Sequence, residues 1–357
     1  MVNFCEKPEI LLQTRGFCDY CKCRNFKVLS LQKMQPPEAS IQSIFLEKVR
    51  KRLTPNISFA DELAEVLNIS RDSAYRRIRG ETILSLDEAK KLYDRYAVSI
   101  DSLFTVSSNM VPFYHRALTP EYTLGQWLNS VAKNLEEANH YEKKQMIIAA
   151  KDIPIFHYFR LPELSAFKIF FWLKSIIKDP AFANELYRAE AVPVELTQAG
   201  NRIWDSYAGM PSTEIWSDEA INDTLKQIEF YGECSFFAKP NQAAALCDQL
   251  IKLNNEIREE AAEGKKTDGS SFKLYVNEIF IADNTVLAHM DQKRSVYVSY
   301  NLLNLLTTFQ ESFCEKTELY LNNMIKNSTL ISATAEKERN KFFNMMNERI
   351  EVFKKKL

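Results

Sequence analysis

Ser58-Phe-Ala-Asp-Glu-Leu-Ala-Glu-Val-Leu-Asn-Ile-Ser-Arg-Asp-Ser-Ala-Tyr-Arg-Arg-Ile-Arg-Gly80 encodes two short helices joined by a tight turn, the second carrying four arginines. Ser58 precedes an apolar-periodic run and Asp61 follows it three residues later, a pairing that caps free backbone N–H groups and suits the helix dipole. Leu63, Ala64 and Leu67 share one stripe, with Glu62 and Glu65 on the wet side. Asn68 tolerates the left-handed conformation that ends a helix. Ile69 then packs inward, Ser70 caps the second helix with Ile69 and Ala74 placed as a hydrophobic staple, and Gly80 closes it.

Outward from this pair the same punctuation continues. Ser85 with Glu88 repeats the capping spacing for a helix whose Ala89, Leu92 and Tyr93 face inward, and Ser99 opens a short last turn ending at Leu103 and Phe104. With an amphipathic segment over Ile41 to Leu53, five helices are predicted within residues 41–104. The unit resembles the DNA-binding domain of phage-repressor-type (XRE-like) bacterial transcription regulators, on Leu63, Ala64, Asn68, Ile69, Ser70 and Gly80 at the family's spacing. The resemblance implies a recognition helix over residues 70–80 that enters the major groove N-terminus first, with Arg71, Asp72, Ser73 and Arg76 at base edges. Arginine there can donate bidentately to guanine. Two positions depart from the family: Arg77 stands where an apolar core residue is usual, and Ile78 where Glu is usual. The inward stripe therefore runs from Ala74 to Ile78, and Arg77 and Arg79 are expected to turn toward phosphates. Residues 70–80 carry four Arg against one Asp within a chain of net charge −1, a local concentration suited to a phosphate-facing surface.

At 357 residues, 46% of them hydrophobic, the chain has room for about two domains with sizeable cores. Only 8 glycines occur, well below the usual roughly 7%, which points to mostly helical structure. The opening stretch carries charge and lacks a long apolar core, so no secretory signal is expected and the reading is of a cytoplasmic protein. Leu164 to Ile177 is the most apolar segment, but Lys168 and Lys174 break it and a membrane span needs about twenty residues.

Residues 1–40 form an N-terminal tail. Cys18-Asp-Tyr-Cys21 with Cys23 and Cys5 has a spacing that suits zinc, though no second paired motif accompanies it. The alternatives are a disordered tail, or an extension upstream of a natural start at Met34. Thr105 to Pro112 reads as a linker into a larger unit, residues 105–357. There Tyr122 to Ala150 reads as a helix pair or one long helix, and further helices are predicted over Leu164 to Ile177, Ala181 to Ala191, Pro193 to Tyr207, Ser217 to Tyr231 and Pro240 to Ala262. After the polar loop Gly264 to Ser271 the period changes to two. Phe272 to Ala282, Thr285 to Met290 and Ser295 to Tyr300 are expected to make a small antiparallel sheet near residues 272–300. Leu302 to Lys326 and Ala335 to Leu357 return to helix. The expected class is mainly α with a small sheet, α+β. Asp152-Ile-Pro-Ile-Phe156, Glu163-Leu-Ser-Ala-Phe-Lys168 and Thr329-Leu-Ile-Ser-Ala-Thr-Ala-Glu-Lys-Glu-Arg339 resemble an uncharacterised C-terminal region of some bacterial helix-turn-helix proteins, a resemblance that brings no ligand or reaction.

Catalytic patterns are missing from the sequence. His115, His140, His157 and His289 show no metal-binding interval, the glycines form no phosphate loop, and Cys234, Cys247 and Cys314 stand singly as expected buried thiols. Glu259, Glu260 and Glu263 read as a solvated run. No enzyme and no cofactor are expected. Aromatic residues are dense: Phe156, Tyr158, Phe159, Phe167, Phe170, Phe171 and Trp172, with Tyr275, Phe280, Tyr297 and Tyr300 on the expected sheet. They either form core or wall a pocket for a small apolar or aromatic effector. The stripe Phe342, Met346, Ile350 and Phe353 on the last helix either pairs two copies or packs on its own domain. Two functions follow: a sequence-specific regulator that binds double-stranded DNA as a homodimer and possesses a C-terminal domain for dimerisation and effector sensing, or a protein–protein interaction module on a helix-turn-helix fold.

Overall fold

The structure, a computed structural model, describes residues 40–53, 58–96, 98, 100, 103, 110–119, 121–278 and 281–357. The chain forms two compact units, one up to Leu103 and one from Phe104. Cys5, Cys18, Cys21 and Cys23, with the rest of the tail, most of the linker, and Ser99 and Phe104 of the expected fifth helix, lie outside the described residues. So does Phe280.

In the N-terminal unit the described helices are α1 (Ile41–Arg50), α2 (Phe59–Leu67), α3 (Arg71–Ile78) and α4 (Leu86–Tyr96). Phe45, Leu46, Val49, Leu63, Leu67, Ala74, Ala89 and Leu92 meet in one small core, with Ile69 and Ile78 against it. Asn68 adopts φ 57, and the Ile69 and Asn68 N–H groups return to the Ala64 and Glu65 carbonyls at 3.0 and 3.2 Å, closing α2 in a Schellman turn. Ser58 holds the N-cap conformation but its side chain makes no capping bond. Tyr93 points outward, contrary to the expected stripe; Tyr96, seven residues after Ala89, takes the inner place and donates to Glu62.

The C-terminal unit is α+β. Its elements are β1 (Tyr114–His115), α5 (Leu124–Ala138), β2 (Lys144–Ala150), α6 (Ile155–Tyr158), α7 (Pro162–Phe171, running into a π-helical stretch to Ile177), α8 (Val194–Ala208), β3 (Ser212–Ser217), α9 (Asn222–Glu233) and α10 (Gln242–Glu263). Then follow β4 (Phe272–Asn277), β5 (Thr285–Met290), β6 (Lys293–Ser299), β7 (Leu305–Thr308), α11 (Glu311–Lys326), β8 (Thr329–Leu330) and α12 (Glu336–Lys354). The small antiparallel sheet is corrected to an eight-stranded mixed sheet, ordered β1-β7-β6-β5-β2-β3-β4-β8. β2, β3 and β4, fifth to seventh in that order, run parallel, so Phe272 to Asn277 pairs with Ser212 to Ser217 and not with the hairpin β5–β6.

The central strands explain why. Met146, Ile148 and Ala150 face the main core while Ile147 and Ala149 face a second core beneath α11. A strand buried on both faces reads as a continuous apolar run, and Lys144–Ala150 was therefore indistinguishable from helix. Ala181 to Ala191 is two short 3-10 turns, Pro180–Phe182 and Ala189–Ala191, instead of a helix. The aromatic run of residues 156–172 is core: Phe167 stacks edge-on against Tyr187 and Tyr231, and Phe170 against Phe182 and Tyr187. Phe342, Met346 and Ile350 are buried in the same core, so the last helix packs on its own unit. Cys247 and Cys314 are buried, their thiols pushed up by burial to about 11, whereas Cys234 is exposed.

Charge also enters this core. Glu214 on β3 accepts from Tyr207, from Trp216 Nε1 at 2.8 Å, from Ser212 Oγ at 3.2 Å and from His157 Nε2 at 3.1 Å. Arg160 donates to His157 Nδ1 at 2.8 Å, which fixes the imidazole as the neutral tautomer with its proton on Nε2. Arg160 also holds Glu260 at 2.9 Å, and Lys266 donates to the Tyr207 and Met210 carbonyls. Glu260, expected in a solvated run, is thus buried and paired. Burial alone would raise the Glu214 carboxyl; His157, Lys266 and Tyr207 outweigh it and hold it at about 2.

Candidate nucleic-acid interface

The second helix of the opening motif is set by its ends. Ser70 accepts from Ser73 N at 3.2 Å and caps α3, with Asp72 in the first turn. At the other end Gly80 takes φ 77, and Glu81 N and Gly80 N return to the Arg76 and Arg77 carbonyls at 2.9 and 3.1 Å. A side chain at that φ is strained whatever the space around it. The segment beyond is clamped by Gln42 of α1, whose Nε2 donates to the Arg77 and Thr82 carbonyls at 2.8 Å each and whose Oε1 accepts from Leu84 N at 2.8 Å. Ser85 and Glu88 form the expected reciprocal cap, at 3.0 and 3.1 Å.

Ala74 is fully buried and Ile78 packs on the core, so α3 presents Arg71, Asp72, Tyr75, Arg76 and Arg79 to solvent. These positions run i, i+1, i+4, i+5 and i+8, one face of a helix. Ser73 is half-buried, its hydroxyl accepting from Ser70. Tyr75 was missed by motif transfer, although its place one turn after Arg71 puts it on the same face; the Arg71 guanidinium lies 5.9 Å from its ring.

Arg77 goes elsewhere than the expected phosphate-facing surface. It meets Glu88 through two hydrogen bonds, 2.7 and 3.1 Å, with a third to the Ser73 carbonyl at 3.2 Å, and only 15% of its side chain is exposed. It joins α3 to α4. Burial pushes the Glu88 carboxyl up, but Arg77 and the Ser85 N–H more than offset this and it titrates below its ordinary value. The other three arginines also have acidic neighbours: Arg71 meets Asp61 at 2.8 Å, while Arg76 and Arg79 both meet Glu81, at 3.7 and 2.6 Å. The net positive charge read along residues 70–80 is therefore balanced in space, four arginines against Asp61, Asp72, Glu81 and Glu88. The exposed pairs are weak in water, and a phosphate can displace the carboxylate.

A Schellman-closed helix, a tight turn and a capped helix with a mixed polar, arginine-rich outer face make up a helix-turn-helix pair. Residues 40–142 match the BetR domain, a DNA-binding, helix-turn-helix-like domain family. The match covers less than a third of the chain and continues past the N-terminal unit through β1 and α5. No curated protein and no solved structure matches the chain. Among the described residues no helix is long and apolar enough to cross a membrane, and none of the clusters of His, Cys, Asp or Glu could hold a metal ion.

Proposed function

We propose that the protein is a sequence-specific DNA-binding transcription regulator of the XRE-like type, acting in the cytoplasm with no catalytic step. The observation that carries this reading is the outward face of α3: Arg71, Asp72, Tyr75, Arg76 and Arg79 aligned on a helix whose two ends are fixed by Ser70 and Gly80. Residues one turn apart on such a face reach successive base pairs when the helix N-terminus enters the major groove. Arg71 and Arg76 are the base readers, Ser73 orders the first turn, and Arg79 is the phosphate contact. Because one helix reads few base pairs, the regulator acts as a homodimer on half-sites about one turn apart, paired through its C-terminal unit, which also receives any small-molecule effector.

Selection of bound fragments from genomic DNA tests this, followed by titration at two salt concentrations. The expected result is a fragment bound with an affinity that falls as salt rises, and discrimination that Arg76→Ala removes at particular base pairs. Absence of binding to every fragment at low salt overturns it. Ligand-screened thermal shifts test the effector.

The second reading, a protein-binding module, is favoured by a different observation. Ile83 and Leu86, beside α3, are 84% and 83% exposed although Gln42 and the Ser85–Glu88 cap hold their segment rigid. Under that reading Ile83→Ser with Leu86→Ser abolishes partner capture, while a selected DNA fragment is never obtained.

A further inference from the structure

Two carboxylates meet the exposed arginines of α3, and they grip them differently. Glu81 takes the fork of Arg79 through both Nε and Nη2, at 2.6 and 3.2 Å, and lies 3.7 Å from Arg76. Asp61 approaches Arg71 at Nε, 2.8 Å from Oδ1. Exposure does not separate the two carboxylates, at 51% for Asp61 and 48% for Glu81, so the difference lies in geometry. An arginine held on its Nε side keeps its two terminal nitrogens for guanine O6 and N7, which accept from them as a pair.

The Asp61–Arg71 pair spans the turn between the helices, with Asp61 in the first turn of α2 and Arg71 the first residue of α3. Both ends are anchored. Leu63, two residues after Asp61, and Ala74, three after Arg71, are buried in one core, and Asn68 at φ 57 sets the turn between them. Ser70, immediately before Arg71, is fixed by its bond from Ser73 N. The Ser58 side chain makes no capping bond, and the Asp61 carboxylate reaches across to α3 instead. Tyr75, one turn after Arg71, adds a second contact, its ring 5.9 Å from the guanidinium and within reach of cation–π attraction. A side chain restrained before DNA arrives loses less freedom on reading a base.

We infer that Asp61 is a positioning residue for base reading: it holds Arg71 through Nε so that a pre-set fork reads one guanine of the site. Phosphate competes with a carboxylate for a guanidinium because both are anions, whereas a base edge carries no net charge. Asp61 therefore stays on Arg71 where Glu81 gives way to phosphate. The inference deepens the DNA-binding reading above and rests on it.

Titration of the full chain with a selected fragment and its single-base-pair variants tests it, for wild type, Arg71→Ala, Asp61→Asn and the double variant. Arg71→Ala is expected to relax discrimination at one G·C pair. Asp61→Asn relaxes the same pair by about threefold to tenfold, while scrambled DNA is bound as well or better because an anion has been removed. With Arg71→Ala in place, Asp61→Asn adds nothing at that pair. In spectra of the free chain the Arg71 Nε–H resonance moves on Asp61→Asn, a readout independent of DNA. A purely structural role for Asp61 would weaken selected and scrambled DNA alike. That outcome overturns the inference, as do discrimination untouched by Arg71→Ala or by Asp61→Asn, additive effects in the double variant, or an unmoved resonance. A wild type that binds no fragment brings down the DNA-binding reading and this inference together. Discrimination that Arg71→Ala relaxes and Asp61→Asn does not overturns this inference alone.

Discussion

Two sets of ion pairs divide this molecule. On α3 the arginines meet Asp61 and Glu81 in open water; around β3 a balanced set, Arg160 and Lys266 with Glu214 and Glu260, is sealed in the core. The chemistry is the same and the solvent is not. In water such pairs are nearly free to exchange one anion for another, which suits a surface that trades carboxylates for phosphates. In the core each charge depends on its partners, since none can be rehydrated if one is lost. Exposed arginines are thus available for recognition, and buried ones are committed to the fold.

The contrast is broken most directly at Glu214. Glu214→Gln removes the acceptor charge beneath four donors and is expected to destabilise the C-terminal unit by about 3–5 kcal/mol, read by denaturant unfolding. A loss under about 1 kcal/mol would mean that the core pairs are as dispensable as the surface ones.

Arg77 lies between the extremes. Arg77→Ala is expected to cost about 1–2 kcal/mol of stability in the N-terminal unit and to weaken DNA binding equally for all sequences, with an unchanged dependence on salt. A salt slope smaller by about one would instead identify Arg77 as a phosphate contact.

A pH effect is expected from Asp152, after β2. Burial raises its carboxyl from 3.8 to about 6, against the lowering pull of Lys168 4.0 Å away. The folded value exceeds the unfolded one, so its contribution is full below 3.8 and is lost as pH rises through about 6. Asp152→Asn should therefore gain stability relative to wild type between pH 4 and 7, on the order of 1–2 kcal/mol because a fifth of the side chain remains exposed. Thermal unfolding across that range checks it, and a gap that does not change with pH contradicts it.

The smallest effect belongs to the surface. Glu81→Gln releases Arg76 and Arg79 and should leave the unfolding midpoint unchanged, while raising affinity for duplex DNA roughly threefold to tenfold at low salt. No change in affinity would show that Glu81 does not compete with phosphate.

The same division decided what could be read from sequence. The helix pair of the N-terminal unit was legible because its punctuation is local: Asn68 and Gly80 at left-handed positions, Ser70 and the Ser85–Glu88 cap within three residues of their partners. Long-range partners were not. Nothing near Arg77 announces Glu88, eleven residues on, or Gln42, thirty-five residues back. In the C-terminal unit β3 was missed because Ser212-Thr-Glu-Ile-Trp-Ser217 places a carboxylate in the core, where only the folded arrangement supplies its donors.

The central claim is that the outward face of α3 reads duplex DNA. Its most direct test is the ratio of affinities for a selected fragment and a scrambled one, measured for wild type and Arg76→Ala at the same salt. The account predicts a ratio of at least about 10³ for wild type, reduced about tenfold or more by the substitution. Equal binding of both fragments by wild type, or a ratio untouched by Arg76→Ala, would contradict it.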